Sequence, residues 1–305
     1  MSAASPLEGR TAVVTGAARG IGAVTARALV GRGARVALLG LEAEELARTA
    51  AALPPGSADW WAVDVCDEAA MARTAALVRS RFGSPSVVIA NAGVAEAGPF
   101  LECELRVWRR VVEVNVAGGA VTAHTFLPDL LRTRGYFLQV ASLAALGPAP
   151  FMSAYCASKA GAEAFARVLR AEVAHRGVGV GVAYLSWAGT EMLRAGDTSR
   201  ALRALRSALP WPASRTYPVP LVAERLVRGV EHRSASVHAQ PWLRGVQLAR
   251  AALPPLVTAR SRRLLRDLER DGRIPATGLL GAGGTAAMRD GDAGGGPAGG
   301  ARRGE

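Results

Sequence analysis

Lysine is nearly absent from this sequence: of 37 basic side chains, one is Lys and 36 are Arg. Cysteine is scarce too. Cys66, Cys103 and Cys156 are widely spaced with no Cys-x-x-Cys, which argues against a disulfide framework or a zinc site and fits a reducing compartment. Histidine occurs only at positions 124, 175, 232 and 238, without metal-ligand spacing, so no metal site is expected. No apolar run reaches the ~18 residues that a spanning helix needs. The stretch from Met1 to Gly9 lacks the charged start and apolar core of a leader, so a soluble, cytoplasmic protein is expected. Aromatic residues make up 5% of the chain, and none interleave regularly with the arginines. The net charge of +12 is therefore not read as a nucleic-acid surface.

What the chain does have is a core. Half of its 305 residues are apolar, enough for one α/β domain. Short β-branched runs alternate with longer segments of helical period, the pattern of parallel strands joined by crossover helices. The runs are 11–15, 35–39, 60–63, 87–90, 136–141, 178–185 and 236–239, and Ile21, Val24, Ala28 and Leu29 are expected on the buried face of the first helix. The fold class is α/β, a Rossmann-type doubly wound parallel sheet of about seven strands in a three-layer α/β/α arrangement.

Residues 1–240 form the expected catalytic domain. Residues 241–273 read as a basic, amphipathic helical extension in which Trp242, Val246, Ala249 and Leu253 share a face. This extension is expected to cap the domain, with weak peripheral contact to anionic lipid through 242–273 as the second reading. Residues 274–305 are mostly Gly, Ala and Arg, the composition of a disordered, solvated tail. The stretch from Glu191 to Pro220 is too long for a tight crossover and is expected to hold a helical lid.

Four signals fall where strands end. The first strand runs into Gly16, Arg19, Gly20, Ile21 and Gly22, a turn that lets a pyrophosphate approach unpaired helix amides. Asp64 and Val65 follow the third strand, Asn91-Ala92-Gly93 the fourth and Ser142 the fifth. Each alone is an ordinary turn; together they mark the ligand-binding edge of an open sheet. Tyr155 and Lys159 are four apart, hence on one helical face. A composition so poor in lysine would supply Arg at almost any basic position, and a compact ammonium is not interchangeable with a planar guanidinium. A nearby cation favours the phenolate and suits the tyrosine to proton transfer.

These residues resemble the short-chain dehydrogenase/reductase family over roughly 9–240. Thr15 to Gly22 matches its glycine loop, Asn91 to Gly93 its Asn-Ala-Gly, Asn115 its active-site Asn, and Ser142, Tyr155 and Lys159 its catalytic Ser and Tyr-x-x-x-Lys. The resemblance implies a catalytic tetrad of Asn115, Ser142, Tyr155 and Lys159. Tyr155 would exchange the proton, Ser142 would orient the substrate oxygen, Lys159 would hold the nicotinamide ribose, and Asn115 would support a water relay. It also implies NAD(P)(H) as cofactor, Thr190 near the carboxamide, and a homodimer or homotetramer. After the sixth strand, where the family usually has Pro-Gly with a Thr four residues beyond the Gly, Leu185-Ser186-Trp187-Ala188-Gly189-Thr190 occupies the stretch, with Trp187 either a pocket wall or core. Gly40-Leu41-Glu42 gives no acid at the expected strand tip, and Arg19 is well placed for a 2′-phosphate, which inclines the choice to NADP(H). The expected reaction interconverts a small, mostly apolar secondary alcohol and its ketone. A 3-oxoacyl-thioester or hydroxysteroid reductase is the alternative, and a non-catalytic NADP-binding sensor the alternative of another class.

Overall fold

The computed structural model describes residues 5–293. Its strands are β1 (Thr11–Thr15), β2 (Arg35–Gly40), β3 (Ala58–Ala62), β4 (Val87–Ala90), β5 (Tyr136–Val140), β6 (Gly179–Tyr184) and β7 (Ser236–His238). They form one parallel sheet in the order β3-β2-β1-β4-β5-β6-β7. Both faces of the central strands are covered, which is why an alternation of apolar and polar residues is missing and runs such as Val87 to Ala90 are apolar throughout.

The helices are α1 (Gly20–Val30), α2 (Ala43–Ala51), α3 (Glu68–Phe82), α4 (Leu105–Val112), α5 (Gly118–Thr133), α6 (Ser153–Val173), α7 (Glu191–Gly196), α8 (Arg200–Ala208), α9 (Val219–Glu231), α10 (Leu243–Leu248), α11 (Leu253–Arg270) and α12 (Gly281–Ala293). One face of the sheet packs against α3, α5 and α6 through Met71, Val78, Phe126, Leu130 and Leu169. The other packs against α1, α2 and α9 through Leu29, Leu46, Leu226 and Val230. Each large side chain buried here contributes about 1.5–3 kcal/mol by leaving water.

Two expectations about the first helix and the C-terminal stretch differ from the structure. The buried face of α1 is Gly22, Thr25, Ala26 and Leu29, because the helix is wedged between the sheet and α9; of the expected four, only Leu29 is fully buried. The stretch from residue 274 does not run free as a solvated tail. Ile274, Leu280 and Ala287 are buried, and α12 continues to the last described residue. Its small residues pack because backbone hydrogen bonds, not large side chains, hold them: Thr277 and Leu280 donate to the carbonyls of Ala97 and Ala95, each at 2.8 Å. Residues 294–305 lie outside the described residues.

The 241–273 extension docks on the domain. Leu243 is fully buried, Trp242 Nε1 donates to the Tyr217 hydroxyl at 3.0 Å, and Arg250 pairs with buried Glu163 of α6 at 2.9 Å. Of the expected face, Trp242, Val246 and Leu253 pack on the core while Ala249 is exposed. The expected lid is α7 and α8, with Leu202 and Leu205 turned inward.

Candidate active site

Strand order reverses between β1 and β4, where the chain crosses to the other side of β1, and that opens a crevice at the carboxyl ends of the strands. A cavity of about 620 Å³ fills it, within the range of small-molecule sites. Its lining joins the β1–α1 turn, the ends of β3, β4 and β5, one wall of α6, and the lid helices α7 and α8.

At the β1–α1 turn, Gly16 and Gly20 adopt φ of 62° and 57°, values that disfavour any side chain. A Cβ on Gly22 would sit 2.1 Å from the Gly16 carbonyl oxygen. The helix that begins here has no side-chain cap, so its first amides are free to meet an anion. Asn91 ties this turn to β4: its Nδ2 donates to the carbonyls of Thr15 and Gly16, at 3.0 and 3.2 Å. Ala92 and Gly93 continue the wall, and Thr190 leans over Gly20 after capping α7 through Leu193 N–H. A glycine cradle, open helix amides and a long crevice fit a dinucleotide.

Arg19, expected to be free for a phosphate, is held by carboxylates. It pairs with Glu42, with Glu45 at 3.6 Å and with Glu191 at 2.6 Å. Asp64 is similarly engaged: it accepts from Arg110, a buried cation of α4, and from Cys66 N–H. Val65 lines the cavity beside it.

On the opposite side, Ser142, Tyr155 and Lys159 all face the cavity. Ser142 leaves the end of β5 in extended conformation and accepts from Ala144 N–H at 3.2 Å. Low-polarity surroundings push the Tyr155 phenol above its ordinary value, and the neighbouring Ser142 hydroxyl opposes that rise. Lys159, 4% exposed, donates to the Val140 carbonyl at 3.1 Å, and burial lowers its ammonium to about 8. Its Nζ is 5.7 Å from the Tyr155 ring centre.

Asn115 stands behind this group and does not line the cavity. It lies in a π-helical turn between α4 and α5, where the extra residue redirects side chains. Its Oδ1 accepts from Val94 N–H and its Nδ2 donates to the Val94 carbonyl and to Ser158, each at 2.9 Å.

The structure adds residues that no sequence signal singles out. The backbone after β6, which lacks Pro-Gly, is held instead by Gln240, whose Oε1 accepts from Ser186 N–H at 3.0 Å, and by Tyr217, bonded to Trp187 and Gly189. Trp187 both lines the cavity and packs on Met192, Leu202 and Leu205, so it serves as wall and core at once. Apolar side chains of Met152, Leu205, Leu209 and Val257 contribute to the lining, as does Arg260.

Residues 10–200 match the family model described as short chain dehydrogenase. The chain is 36% identical over 171 residues to the probable oxidoreductase EphD of Mycobacterium tuberculosis, covering 55% of this chain but only 29% of that protein. It is 34% identical over 173 residues to a meso-2,3-butanediol dehydrogenase of Serratia marcescens, covering 57% of this chain and 68% of that one. It is 38% identical over 189 residues to a cis-4-hydroxycyclohexanecarboxylate dehydrogenase of Sinomonas cyclohexanicum, covering 60% and 75%. With the glycine turn, the Ser-Tyr-Lys wall and the seven-stranded parallel sheet in place, the chain belongs to the short-chain dehydrogenase family.

Proposed function

We propose that this protein interconverts a secondary alcohol and its ketone at the expense of a nicotinamide dinucleotide. The observation that carries this reading is the shared cavity: the glycine turn and the Ser142, Tyr155 and Lys159 side chains line one continuous space. The bound dinucleotide supplies the hydride chemistry; the chain supplies position and proton transfer. Gly16, Gly20, Ile21 and Gly22 would hold the pyrophosphate, Asn91 to Gly93 and Thr190 the ribose and carboxamide end, and Asp64 and Val65 the adenosine end.

During reduction Tyr155 gives its phenolic proton to the developing alkoxide oxygen, and during oxidation its phenolate takes the proton back. Ser142 donates to the same oxygen and fixes its approach. Lys159 stabilises the phenolate and reaches the ribose hydroxyls. Asn115, locked to Val94 and Ser158, keeps the polar path behind Lys159 in place, as the relay expected of it requires. A non-catalytic dinucleotide sensor would have no use for a lysine buried at such a desolvation cost.

The apolar side chains in the lining support a substrate with hydrocarbon substituents around the carbonyl. The relatives named above support alcohol oxidation as a class and leave the substrate of this chain open. Glu42 pairs with Arg19 at the cavity edge, which opposes the inclination to NADP(H) and supports NAD(H) as the preferred partner. Homo-oligomerisation through the continuous helical stretch of α4 and α5 that contains Asn115, together with α6, belongs to the same reading; exposed Leu105 and Val168 on α4 and α6 support it. The test is a panel of apolar secondary alcohols and ketones followed by nicotinamide absorbance, with Tyr155→Phe beside the parent. Turnover by the parent and its loss in the variant, with dinucleotide binding kept, is the expected result. Undiminished turnover by Tyr155→Phe would remove the assigned role.

A further inference from the structure

The C-terminal segment after α11 returns to the cavity, although the matched family region ends at residue 200. After Gly272 the chain buries Ile274 against Ala201 and Leu268. It then runs antiparallel to the segment that follows the Asn91-Ala92-Gly93 turn, with Leu279 paired to Glu96. Ala97 N–H donates to Thr277 Oγ1 at 3.0 Å, which adds a third bond to those from Thr277 and Leu280. Gly98 is needed here, because a Cβ on it would approach Ala276 Cα to 2.6 Å.

Helix α12 then crosses the ends of three strands. Near its start, Gly281 packs against the backbone of Met192 and Glu191, and the Glu191 carboxylate holds Arg19 of the β1–α1 turn. Two residues on, Gly283 faces Glu42 at the end of β2; a Cβ there would lie 3.9 Å from its Oε2. Further along, the Ala287 carbonyl accepts from Arg110 at 3.1 Å, and the same guanidinium holds Asp64 at the end of β3. Leu280 to Gly284 and Ala287 line the same cavity as Gly16, Glu42 and Val65.

We infer that residues 276–287 are a clasp over the pyrophosphate and adenosine half of the dinucleotide site, and that dinucleotide enters and leaves only when the clasp lifts. The inference rests on the dinucleotide reading above. The hold is weak in the way a reversible cover needs. It consists of a short backbone pairing, one bond from Arg110 to the Ala287 carbonyl, the Leu280 side chain and otherwise small residues, in a helix whose glycines weaken it. The same small residues leave room for a ligand beneath.

The experiment measures release of reduced dinucleotide by stopped-flow fluorescence from the full chain, from a chain ending at Pro275, and from Ala287→Glu. Ala287 is 1% exposed among Val65, Val111 and their neighbours, so a carboxylate there displaces α12 without shortening the chain. Release at least about tenfold faster from both variants is expected, since losses of this kind fall on the dissociation rate. Release at the parent's rate from a folded variant overturns the clasp. The unaltered chain gives a second measurement that needs no variant: tryptic cleavage after Arg273 should slow at least about tenfold with saturating dinucleotide, as a lid closed by its ligand requires. Equal cleavage with and without dinucleotide likewise overturns it. If the full chain binds no dinucleotide at all, the proposed function fails instead, so the two failures are distinguishable.

Discussion

Arg19 joins Glu42 and Glu191, one carboxylate from the end of β2 and one from the lid, through separate nitrogens of a single guanidinium. A 2′-phosphate would have to displace Glu42 from this pairing and tolerate its charge. Glu42→Ala should therefore raise kcat/KM for NADPH relative to NADH by about tenfold or more, because it removes a repulsive carboxylate and frees Arg19. Steady-state assays with both dinucleotides check this; an unchanged ratio would show that Glu42 does not govern selection.

The pH dependence follows from Lys159 and Tyr155. Burial lowers Lys159 to about 8 and raises Tyr155, so both groups favour their neutral forms in the free protein. Oxidation needs the pair to accept a proton, so its rate should climb as pH rises through the pair's apparent pKa. Reduction needs the pair to hold one and should fall over the same range. In Lys159→Ala the phenolate loses its cation, and the oxidation profile should move to higher pH. For stability Lys159 and two cysteines act in opposite directions. Between about 8 and its ordinary value the unfolded chain binds more protons at Lys159, so this group adds stability as pH increases, whereas Cys66 and Cys103, raised by burial to about 12 and about 11, remove it above their ordinary value. Rate profiles in both directions test the first statement, and the difference in urea midpoint between the parent and Lys159→Ala, followed from about pH 8 to 10, tests the Lys159 contribution.

Gly22→Ala places a methyl group where only 2.1 Å separates it from the Gly16 carbonyl. Backbone at the turn has to move, and dinucleotide affinity should fall by about tenfold or more, equivalent to about 1.4 kcal/mol. Fluorescence titration measures it, and affinity equal to the parent's would mean that the turn is not the phosphate site.

Glu163 is buried on α6 yet joins three groups: Arg167 at 2.5 Å, Arg250 at 2.9 Å and the Tyr184 hydroxyl at 2.8 Å. The two arginines are 51% and 40% exposed, so solvent screens much of their attraction. Glu163→Ala should cost about 1–2 kcal/mol, after allowing for that screening. The melting temperature should drop by about 2–6 °C. Calorimetry checks it, and a drop under a degree would show that the extension is held by its apolar contacts.

The strands and the residues that line the cavity at their ends were legible in the sequence because local signals carry them. Val87 to Ala90 is an apolar run between breakers, and the glycines of the β1–α1 turn are needed by the chain's own geometry. The pairings around those residues depend on contacts remote in sequence. Arg110 looks like any other of the 36 arginines until α4 brings it to Asp64. Glu42 lies past the strand tip in the sequence, and only the start of α2 turns it back toward Arg19. The burial of Ile274, Leu280 and Ala287 was invisible for a related reason. Composition records side chains, whereas this stretch is held by its backbone.

Lys159 is the chain's single lysine, and it opens onto the cavity. At a pH near 8 about half of its side chains carry a free lone pair. An aldehyde small enough to enter would thus form its imine with just one side-chain amine in the molecule. Incorporation of one side-chain label per chain after borohydride trapping would count intact active sites directly, and protection by dinucleotide would report occupancy without any knowledge of the natural substrate.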